Sequence, residues 1–141
     1  MPDEPFLHEN TRQIPPTVLA VDDQLDLLAT YYRLLTRRGY RVVTAPSRTT
    51  GLAAVERERP QLVIADLYLP DGDGLDVIRA ARTLAPPAPV IVVTRFSGAS
   101  YRLSAQVAGA SGFLSKPFES AALLDLVRSH LPIRPPPGGL H

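Results

Sequence analysis

The sequence of 141 residues contains no cysteine and no tryptophan, and it has a single methionine. The absence of cysteine excludes disulfides, thiol nucleophiles and thiolate metal sites. Histidine is scarce too, and His8, His130 and His141 lie too far apart in the sequence to favour a zinc site. The apolar runs have only the length of strands, so none predicts a membrane span, and the N-terminus lacks a signal-peptide pattern. We therefore expect a globular protein in the cytoplasm.

An excess of charge of one sign is also missing. The chain has 15 Lys and Arg against 14 Asp and Glu, for a formal net charge of +1. This balance does not predict nucleic acid as a partner in direct contact, and we expect no membrane contact. Proline, in contrast, is frequent near both ends. We predict an extended or disordered tail at 1–16, one folded domain at 17–131, and a Pro/Gly-rich tail or linker at 132–141.

Strand and helix patterns alternate five times inside the predicted domain. Short apolar runs, typical of strands buried on both faces, lie at 18–21, 40–45, 62–65, 90–94 and 113–115. Residues at helical spacing follow each run; the weakest helix is predicted at 99–110, with Leu103 and Val107 as its anchors in the core. Alternation with short connections predicts an α/β fold, a single doubly wound domain around a parallel five-stranded sheet.

Polar residues stand at the carboxyl ends of four of these runs. Asp22 and Asp23 follow the first run, Asp66 follows the third, Thr94 closes the fourth, and Lys116 follows the fifth. Taken singly, each has an ordinary explanation, as a helix-capping acid, a strand residue or a solvated lysine. In a parallel sheet, however, the carboxyl ends of the strands meet at one edge, where ligands bind. The sequence therefore predicts a cluster of three carboxylates, one ammonium and one hydroxyl.

Electrostatics indicates what such a cluster could bind. Two carboxylates about 4 Å apart repel each other by roughly 4 kcal/mol at an effective dielectric constant near 20. Three carboxylates and one ammonium carry a formal charge of −2, which a Mg²⁺ ion would neutralise through oxygen ligands. A carboxylate in a neutralised site can then act as a nucleophile and accept a phosphoryl group.

The order and spacing of the motifs resemble the receiver domain of bacterial two-component response regulators. The resemblance rests on residues 21–23 (Val-Asp-Asp), the segment 66–74 (Asp-Leu-Tyr-Leu-Pro-Asp-Gly-Asp-Gly), Thr94, and the segment 108–118, which contains Lys116-Pro117. It covers residues 17–131. It implies a flavodoxin-like (βα)5 fold with strand order 2-1-3-4-5.

The resemblance also implies roles for the acidic residues. Asp66 matches the position of the phosphoacceptor. Asp23 and Asp66 would ligate Mg²⁺ directly, together with the backbone carbonyl of Tyr68, and Asp22 would act largely through water.

Three further residues take roles from the same resemblance. Lys116 would pair with Asp66 and then with a phosphoryl oxygen, and the Lys116–Pro117 peptide would be cis. Thr94 would move to donate its hydroxyl to the phosphoryl group. Phe113 matches the aromatic switch position that turns inward on activation, although an apolar strand residue is the ordinary alternative.

The residues around the predicted acceptor depart from the common pattern of the family. Arg95 follows Thr94 where a small residue is usual, Phe96 comes next, and Tyr68 is bulkier than the frequent polar choices. We hypothesise that Arg95 and Tyr68 partly cover Asp66 and so lengthen the lifetime of the phosphorylated state. The alternative is that both side chains point into solvent.

These features predict a signalling protein that is phosphorylated by a histidine kinase or a histidine phosphotransfer protein. It would catalyse its own phosphorylation and dephosphorylation without being a turnover enzyme, and it could form a homodimer through its fourth helix, fifth strand and fifth helix. The alternatives are a Mg²⁺-dependent phosphohydrolase, which usually has Asp-x-Asp after the first strand, and a partner-binding module that is not phosphorylated. The chain could also be the receiver part of a larger regulator with an output domain beyond residue 141.

Overall fold

The structure, a computed structural model, describes residues 14–133. In this part of the chain one parallel sheet contains five strands: β1 (Thr17–Val21), β2 (Arg41–Ala45), β3 (Leu62–Ala65), β4 (Val90–Thr94) and β5 (Gly112–Ser115). Their spatial order is β2-β1-β3-β4-β5, as the resemblance implied, and every neighbouring pair is parallel. The predicted strands are confirmed, each to within one residue at its ends.

Helices cover both faces of the sheet. They are α1 (Leu25–Thr36), α2 (Arg48–Glu58), α3 (Leu75–Arg82), α4 (Ala99–Ala108) and α5 (Ser120–His130). Buried residues of α1 and α5 pack in one core cluster, while those of α2, α3 and α4 pack in a second cluster on the opposite face. This arrangement confirms the predicted doubly wound α/β fold.

The central strand β1 shows why its sequence is continuously apolar. Val18 and Ala20 belong to the cluster under α1 and α5, whereas Leu19 and Val21 belong to the cluster under the other three helices. Because successive side chains of a strand point to opposite faces, a sheet covered on both sides needs an apolar residue at every position.

Local sequence signals set several helix ends. Ser47 caps α2 through a capping box with Thr50, in which each side chain bonds the backbone N–H of the other residue. Helix α4 ends at Ala108, two residues before the predicted end. Gly109 follows it with a φ of 114°, a left-handed conformation that favours glycine and closes the helix.

The predicted anchors of α4 were wrong. Leu103 is 60% exposed and Val107 is 79% exposed, while Ala105 is fully buried. The helix turns its side with Tyr101, Ala105 and Ala108 towards the core. These positions are four and three residues apart and therefore share one face, which leaves Leu103 and Val107 on another. Helix α4 is consequently held to the core mainly by small side chains, and it presents larger apolar side chains to solvent.

The predicted tails lie largely outside the described residues. Of the N-terminal tail predicted at 1–16, only residues 14–16 are described, and of 132–141 only Pro132 and Ile133. Ile133 packs against the core cluster formed with α1 and α5. The domain limits otherwise stay a prediction. Within residues 14–133, no helix combines the length and the apolar character that a membrane crossing requires.

Candidate functional site

Two buried carboxylates stand side by side at the carboxyl edge of the sheet. Asp22 follows β1 and is 1% exposed, and Asp66 follows β3 and is 7% exposed. The backbone N–H of Asp66 donates to the carbonyl of Val21 at 3.1 Å, and that of Asp22 donates to the carbonyl of Ala45 at 3.1 Å. The strand ladder thus extends through both residues and fixes their backbones next to each other.

One ammonium group joins the two carboxylates. Lys116 Nζ lies 2.8 Å from Asp22 Oδ2 and 2.9 Å from Asp66 Oδ2. Its backbone N–H donates to the carbonyl of Thr94 at 2.9 Å, so the ladder between β4 and β5 positions it. Gln24 Oε1 accepts a third hydrogen bond from Nζ at 2.7 Å. The sequence analysis missed Gln24, whose only signal is its position directly after the acidic pair.

Burial and ion pairing shift the pKa values of this group of residues. Burial raises the pKa of Asp22 above its usual value, and this effect outweighs the hydrogen bond from Lys116 that lowers it. Burial by itself would lower the pKa of Lys116. The hydrogen bonds to Asp22 and Asp66 raise that pKa and outweigh burial, so the net shift is upward. Two carboxylates and one ammonium carry a formal charge of −1, which leaves the pocket favourable for a cation.

The third predicted carboxylate does not join this pair. Asp23 is exposed, and within residues 14–133 no three His, Cys, Asp or Glu side chains are grouped closely enough to hold a metal ion. The expected cluster of three carboxylates is therefore not formed. Asp22 is buried directly after the end of β1, whereas Asp23, the next residue in the bend, is exposed to solvent.

The oxygen donors that remain are still suited to magnesium. Mg²⁺ typically binds one or two carboxylates and keeps several water ligands, so it does not need a preformed set of three. Asp66 Oδ1 accepts a hydrogen bond from the backbone N–H of Tyr68 at 3.2 Å, which brings the Tyr68 backbone close to the Asp66 carboxylate. The buried pair, the Tyr68 carbonyl and the exposed Asp23 provide only hard oxygen ligands, the type that Mg²⁺ prefers.

Close packing shapes the loop between Asp66 and α3. The chain forms a short hairpin there, in which Tyr68–Leu69 pairs with Gly72–Asp73. At Gly74, a Cβ atom would lie 2.0 Å from the backbone oxygen of Asp66. Only glycine allows this approach, so Gly74 sets how closely α3 follows Asp66.

The predicted switch residues lie on β4 and β5. Thr94 is completely buried, and its hydroxyl oxygen accepts a hydrogen bond from the backbone N–H of Phe96 at 3.3 Å. Phe113 is half-buried, and the guanidinium of Arg102 lies 4.5 Å from the centre of its ring. The Lys116–Pro117 peptide is cis, which confirms the prediction from the resemblance.

An aromatic cluster forms the rim beside Asp66. The Tyr68 ring, 52% exposed, lies 4.3 Å from the Phe96 ring, and Tyr101 contacts both. Arg95 is exposed, with its guanidinium 5.8 Å from the Phe96 ring centre, and it lines a surface cavity of about 790 Å³ together with Lys116. The side chains of Tyr68 and Arg95 therefore border the site. Their effect on the lifetime of the phosphorylated state stays a prediction.

Comparison with known proteins agrees with this geometry. The family model of the response regulator receiver domain matches residues 18–128. The transcriptional regulatory protein PrrA of Mycobacterium tuberculosis is 35% identical over 116 residues, which are 82% of this chain and 50% of PrrA. The photosynthetic apparatus regulatory protein RegA of Rhodobacter capsulatus is 31% identical over 121 residues, 86% of this chain and 66% of RegA. The matched part thus spans half to two-thirds of these relatives.

Solved structures agree at the level of the fold. The chemotaxis protein CheY4 of Vibrio cholerae has a TM-score of 0.77 and 28% sequence identity, and the match covers 84% of this chain and all of CheY4. A CheY-like response regulator receiver domain protein from Methanospirillum hungatei has a TM-score of 0.78 and 29% identity, covering 82% of this chain and 93% of that one. The sheet order, the paired carboxylates with their lysine and the match over residues 18–128 lead to one conclusion: this chain belongs to the response regulator receiver domain family.

Proposed function

We propose that Asp66 accepts a phosphoryl group from a histidine kinase or a histidine phosphotransfer protein, in a Mg²⁺-dependent reaction that switches a protein-interaction surface. The observation that carries this proposal is the position of Lys116 Nζ, 2.8 Å and 2.9 Å from two buried carboxylates at the carboxyl edge of the sheet. A lysine held there can pair with the Asp66 carboxylate before the transfer and with a phosphoryl oxygen of the acyl phosphate after it.

The transfer begins with attack of an Asp66 carboxylate oxygen on the phosphorus of a phosphohistidine. A new P–O bond forms while the P–N bond breaks, and the imidazole nitrogen leaves with the electron pair of that bond. Because an ionised carboxylate already carries the attacking electron pair, the site needs no general base for this step. The chain supplies position and charge rather than proton transfer.

The neighbouring residues stabilise the transferred group. Lys116 gives up the hydrogen bond that it donates to Asp66 and donates to a phosphoryl oxygen instead. The Thr94 hydroxyl, which accepts from the Phe96 N–H at 3.3 Å, retains its own hydrogen for donation to the same group. A Mg²⁺ ion held at this site would neutralise charge on the phosphoryl oxygens.

We propose four oxygen sources for the metal site. They are the carboxylates of Asp22, Asp23 and Asp66 and the backbone carbonyl of Tyr68. Asp66 and Asp23 would bind the metal directly together with the Tyr68 carbonyl, and Asp22 would act largely through water; one or two carboxylates are the number that Mg²⁺ typically takes. Asp23 is exposed in this structure and is therefore open to an incoming ion.

The switched surface is proposed to include α4, β5 and α5. Movement of Thr94 towards the phosphoryl group vacates space that Phe113 can fill, which biases a two-state equilibrium. Helix α4 is the element best suited to shift, because Ala105 is its only buried residue and Leu103 and Val107 are exposed. These apolar side chains could bind a target protein or a second copy of the chain.

The lengths of the relatives favour a role for this domain within a larger regulatory protein. PrrA and RegA are longer than their matched parts, and both carry names of regulatory proteins. We propose that this receiver domain controls an output domain of a larger regulator. The sequence of the intact gene tests this extension independently of the phosphorylation chemistry. A cytoplasmic location likewise stays a prediction.

Phosphotransfer profiling tests the proposed chemistry. Candidate histidine kinases, phosphorylated with labelled ATP, are mixed with wild type and with Asp66→Asn, each with Mg²⁺ and with a chelator. We expect label on the wild type with Mg²⁺ only, and none on Asp66→Asn. A phosphohydrolase would instead release phosphate rapidly from many phosphomonoesters, and a module that is not phosphorylated would fail to bind beryllium fluoride with Mg²⁺.

A further inference from the structure

An acidic side chain in the hairpin after Asp66 binds the start of a different helix. Asp71 accepts hydrogen bonds from the backbone N–H groups of Arg48 at 2.7 Å and Thr49 at 2.9 Å, and from the Thr49 hydroxyl at 2.6 Å. These are first-turn residues of α2, where free N–H groups and the helix dipole favour a negative charge. Ser47 already caps this helix, so Asp71 is a second, long-range cap.

A charge pair reinforces the same junction. The Arg48 guanidinium lies 2.8 Å from Asp76 Oδ2 in the first turn of α3. The aliphatic part of Arg48 passes over Gly72, where a Cβ atom would lie 2.5 Å from Arg48 Cδ. Gly72 has a φ of 149°, in the region that favours glycine, so the sequence provides both the turn and the space for this arginine. The hairpin is therefore held against α2 from two directions.

Helix α2 connects this junction to the other half of the site. Gly51, one turn into α2, packs directly on β1, and a Cβ atom there would meet Val21 Cγ1 at 2.9 Å. Val21 immediately precedes Asp22. The first turn of α2 thus contacts the residue before one buried carboxylate and, through Asp71, the hairpin that follows the other.

The hairpin end of this connection reaches the proposed metal ligands. Tyr68 pairs with Asp73 across the hairpin, and its backbone N–H donates to Asp66 Oδ1 at 3.2 Å. The backbone N–H of Gly74 closes the loop by donating to the carbonyl of Leu67 at 2.9 Å. A two-residue pairing by itself holds a loop weakly, so an external tether determines how well the Tyr68 carbonyl is fixed.

We propose that Asp71 is a positioning residue for the Mg²⁺ site: by binding the first turn of α2 it fixes the hairpin and with it the backbone carbonyl of Tyr68. This inference rests on the proposed function, because it assumes that Tyr68 is a metal ligand. It adds that a residue outside the ligand set controls metal affinity. Groups that orient metal ligands typically change affinity by about 10–100-fold when they are removed.

A matched pair of variants separates positioning from charge. Asp71→Asn removes one negative charge and leaves a single side-chain oxygen for the three donors of α2. Asp73→Asn removes the same charge from the same hairpin, but the Asp73 side chain accepts from the N–H of Leu75 at 2.9 Å and has no hydrogen bond to α2. Asp71→Ala removes all three hydrogen bonds that Asp71 accepts from α2. Mg²⁺ affinity of each folded protein is measured by titration calorimetry, with urea unfolding in metal-free buffer recorded alongside.

We expect Asp71→Ala to weaken Mg²⁺ binding by about tenfold. Asp71→Asn should lie between it and the wild type, and Asp73→Asn should stay close to the wild type. Because the titration is done on folded protein, a loss of stability alone does not produce this order. If Asp71→Ala fails to fold, the comparison of the two Asn variants decides.

Two results would overturn this inference alone and leave the proposed function standing. Equal Mg²⁺ affinity of the wild type and both Asp71 variants would show that Asp71 does not position the site, while labelling of Asp66 would still support phosphorylation. Equal weakening by Asp71→Asn and Asp73→Asn would show a pure charge effect. A wild type that neither binds Mg²⁺ nor becomes phosphorylated would overturn both proposals.

Discussion

Replacing Lys116 with methionine is expected to destabilise the domain through the two carboxylates that it leaves behind. The side chain of Lys116 is 15% exposed, and those of Asp22 and Asp66 are 1% and 9% exposed, so water can screen the remaining charges only weakly. Methionine keeps most of the apolar stem and removes the ammonium. The change therefore isolates the charge from the packing.

The magnitude follows from the cost of breaking a buried ion pair. Removing one partner of such a pair costs about 3–5 kcal/mol, because the other charge stays buried without compensation. The partial exposure of Lys116 places the expected loss near the lower end, at about 3 kcal/mol, a large share of the roughly 5–15 kcal/mol of a typical domain. Mg²⁺ should restore part of this loss, since a bound cation replaces the missing positive charge.

Urea unfolding near neutral pH, with and without Mg²⁺, measures both effects. Arg128→Met is the matched control, because Arg128 pairs with Asp125 at 2.7 Å where both side chains are about two-thirds exposed. That variant should lose less than about 1 kcal/mol and show no added response to Mg²⁺. If Lys116→Met loses no more than this control, the two carboxylates do not depend on the lysine and the electrostatic description of the site is wrong.

Three further predictions concern the surroundings of Asp66. Gly74→Ala should lower the free energy of unfolding by at least about 2 kcal/mol and reduce labelling of Asp66, because the added Cβ would lie 2.0 Å from the Asp66 backbone oxygen. The control is Gly98→Ala, whose Cβ would meet Tyr101 at an ordinary 3.7 Å. It should lower the free energy of unfolding by less than about 1 kcal/mol in the same urea assay. Hydrogen bonds, first from the Thr49 hydroxyl, lower the pKa of Asp71 to about 2 from 3.8. Its contribution to stability is therefore present above the ordinary pKa and lost as the pH falls towards 2, so the unfolding midpoints of wild type and Asp71→Asn should differ near neutral pH and converge in acid; a constant difference would contradict this. Arg95→Ala should shorten the lifetime of the phosphorylated protein if Arg95 covers the acceptor, and equal decay rates would refute the covering hypothesis.

The sheet and the inner part of the site could be predicted because they depend on local patterns. Each buried strand is an uninterrupted apolar run, and the polar residue that ends it must lie at the common edge of a parallel sheet. Asp22, Asp66 and Lys116 meet for this reason, although up to 94 positions separate them. The family resemblance added the strand order and the cis peptide at Lys116–Pro117, which composition and spacing could not provide.

The outer part of the site, the buried side of α4 and the long-range cap of α2 depend on how side chains are placed in the fold, which local sequence patterns do not encode. Asp23 has the same residue type as its neighbour Asp22 but is exposed where Asp22 is buried, a difference that the residue type alone does not predict. Leu103 and Val107 matched a helical spacing, yet the smaller Ala105 occupies the buried side of α4. The long-range cap by Asp71 joins the hairpin to the first turn of α2, 23 positions away in the sequence, and no periodic pattern marks it.

The most direct test of the central claim is to locate the phosphoryl group chemically. Wild type is incubated with Mg²⁺ and a small phosphodonor, the acyl phosphate is reduced with borohydride to leave homoserine in place of the modified aspartate, and the peptides are sequenced by mass spectrometry. The account predicts homoserine at position 66, dependent on Mg²⁺ and absent from Asp66→Asn. Modification at another acidic residue, or none under conditions that label an established receiver domain, would contradict it.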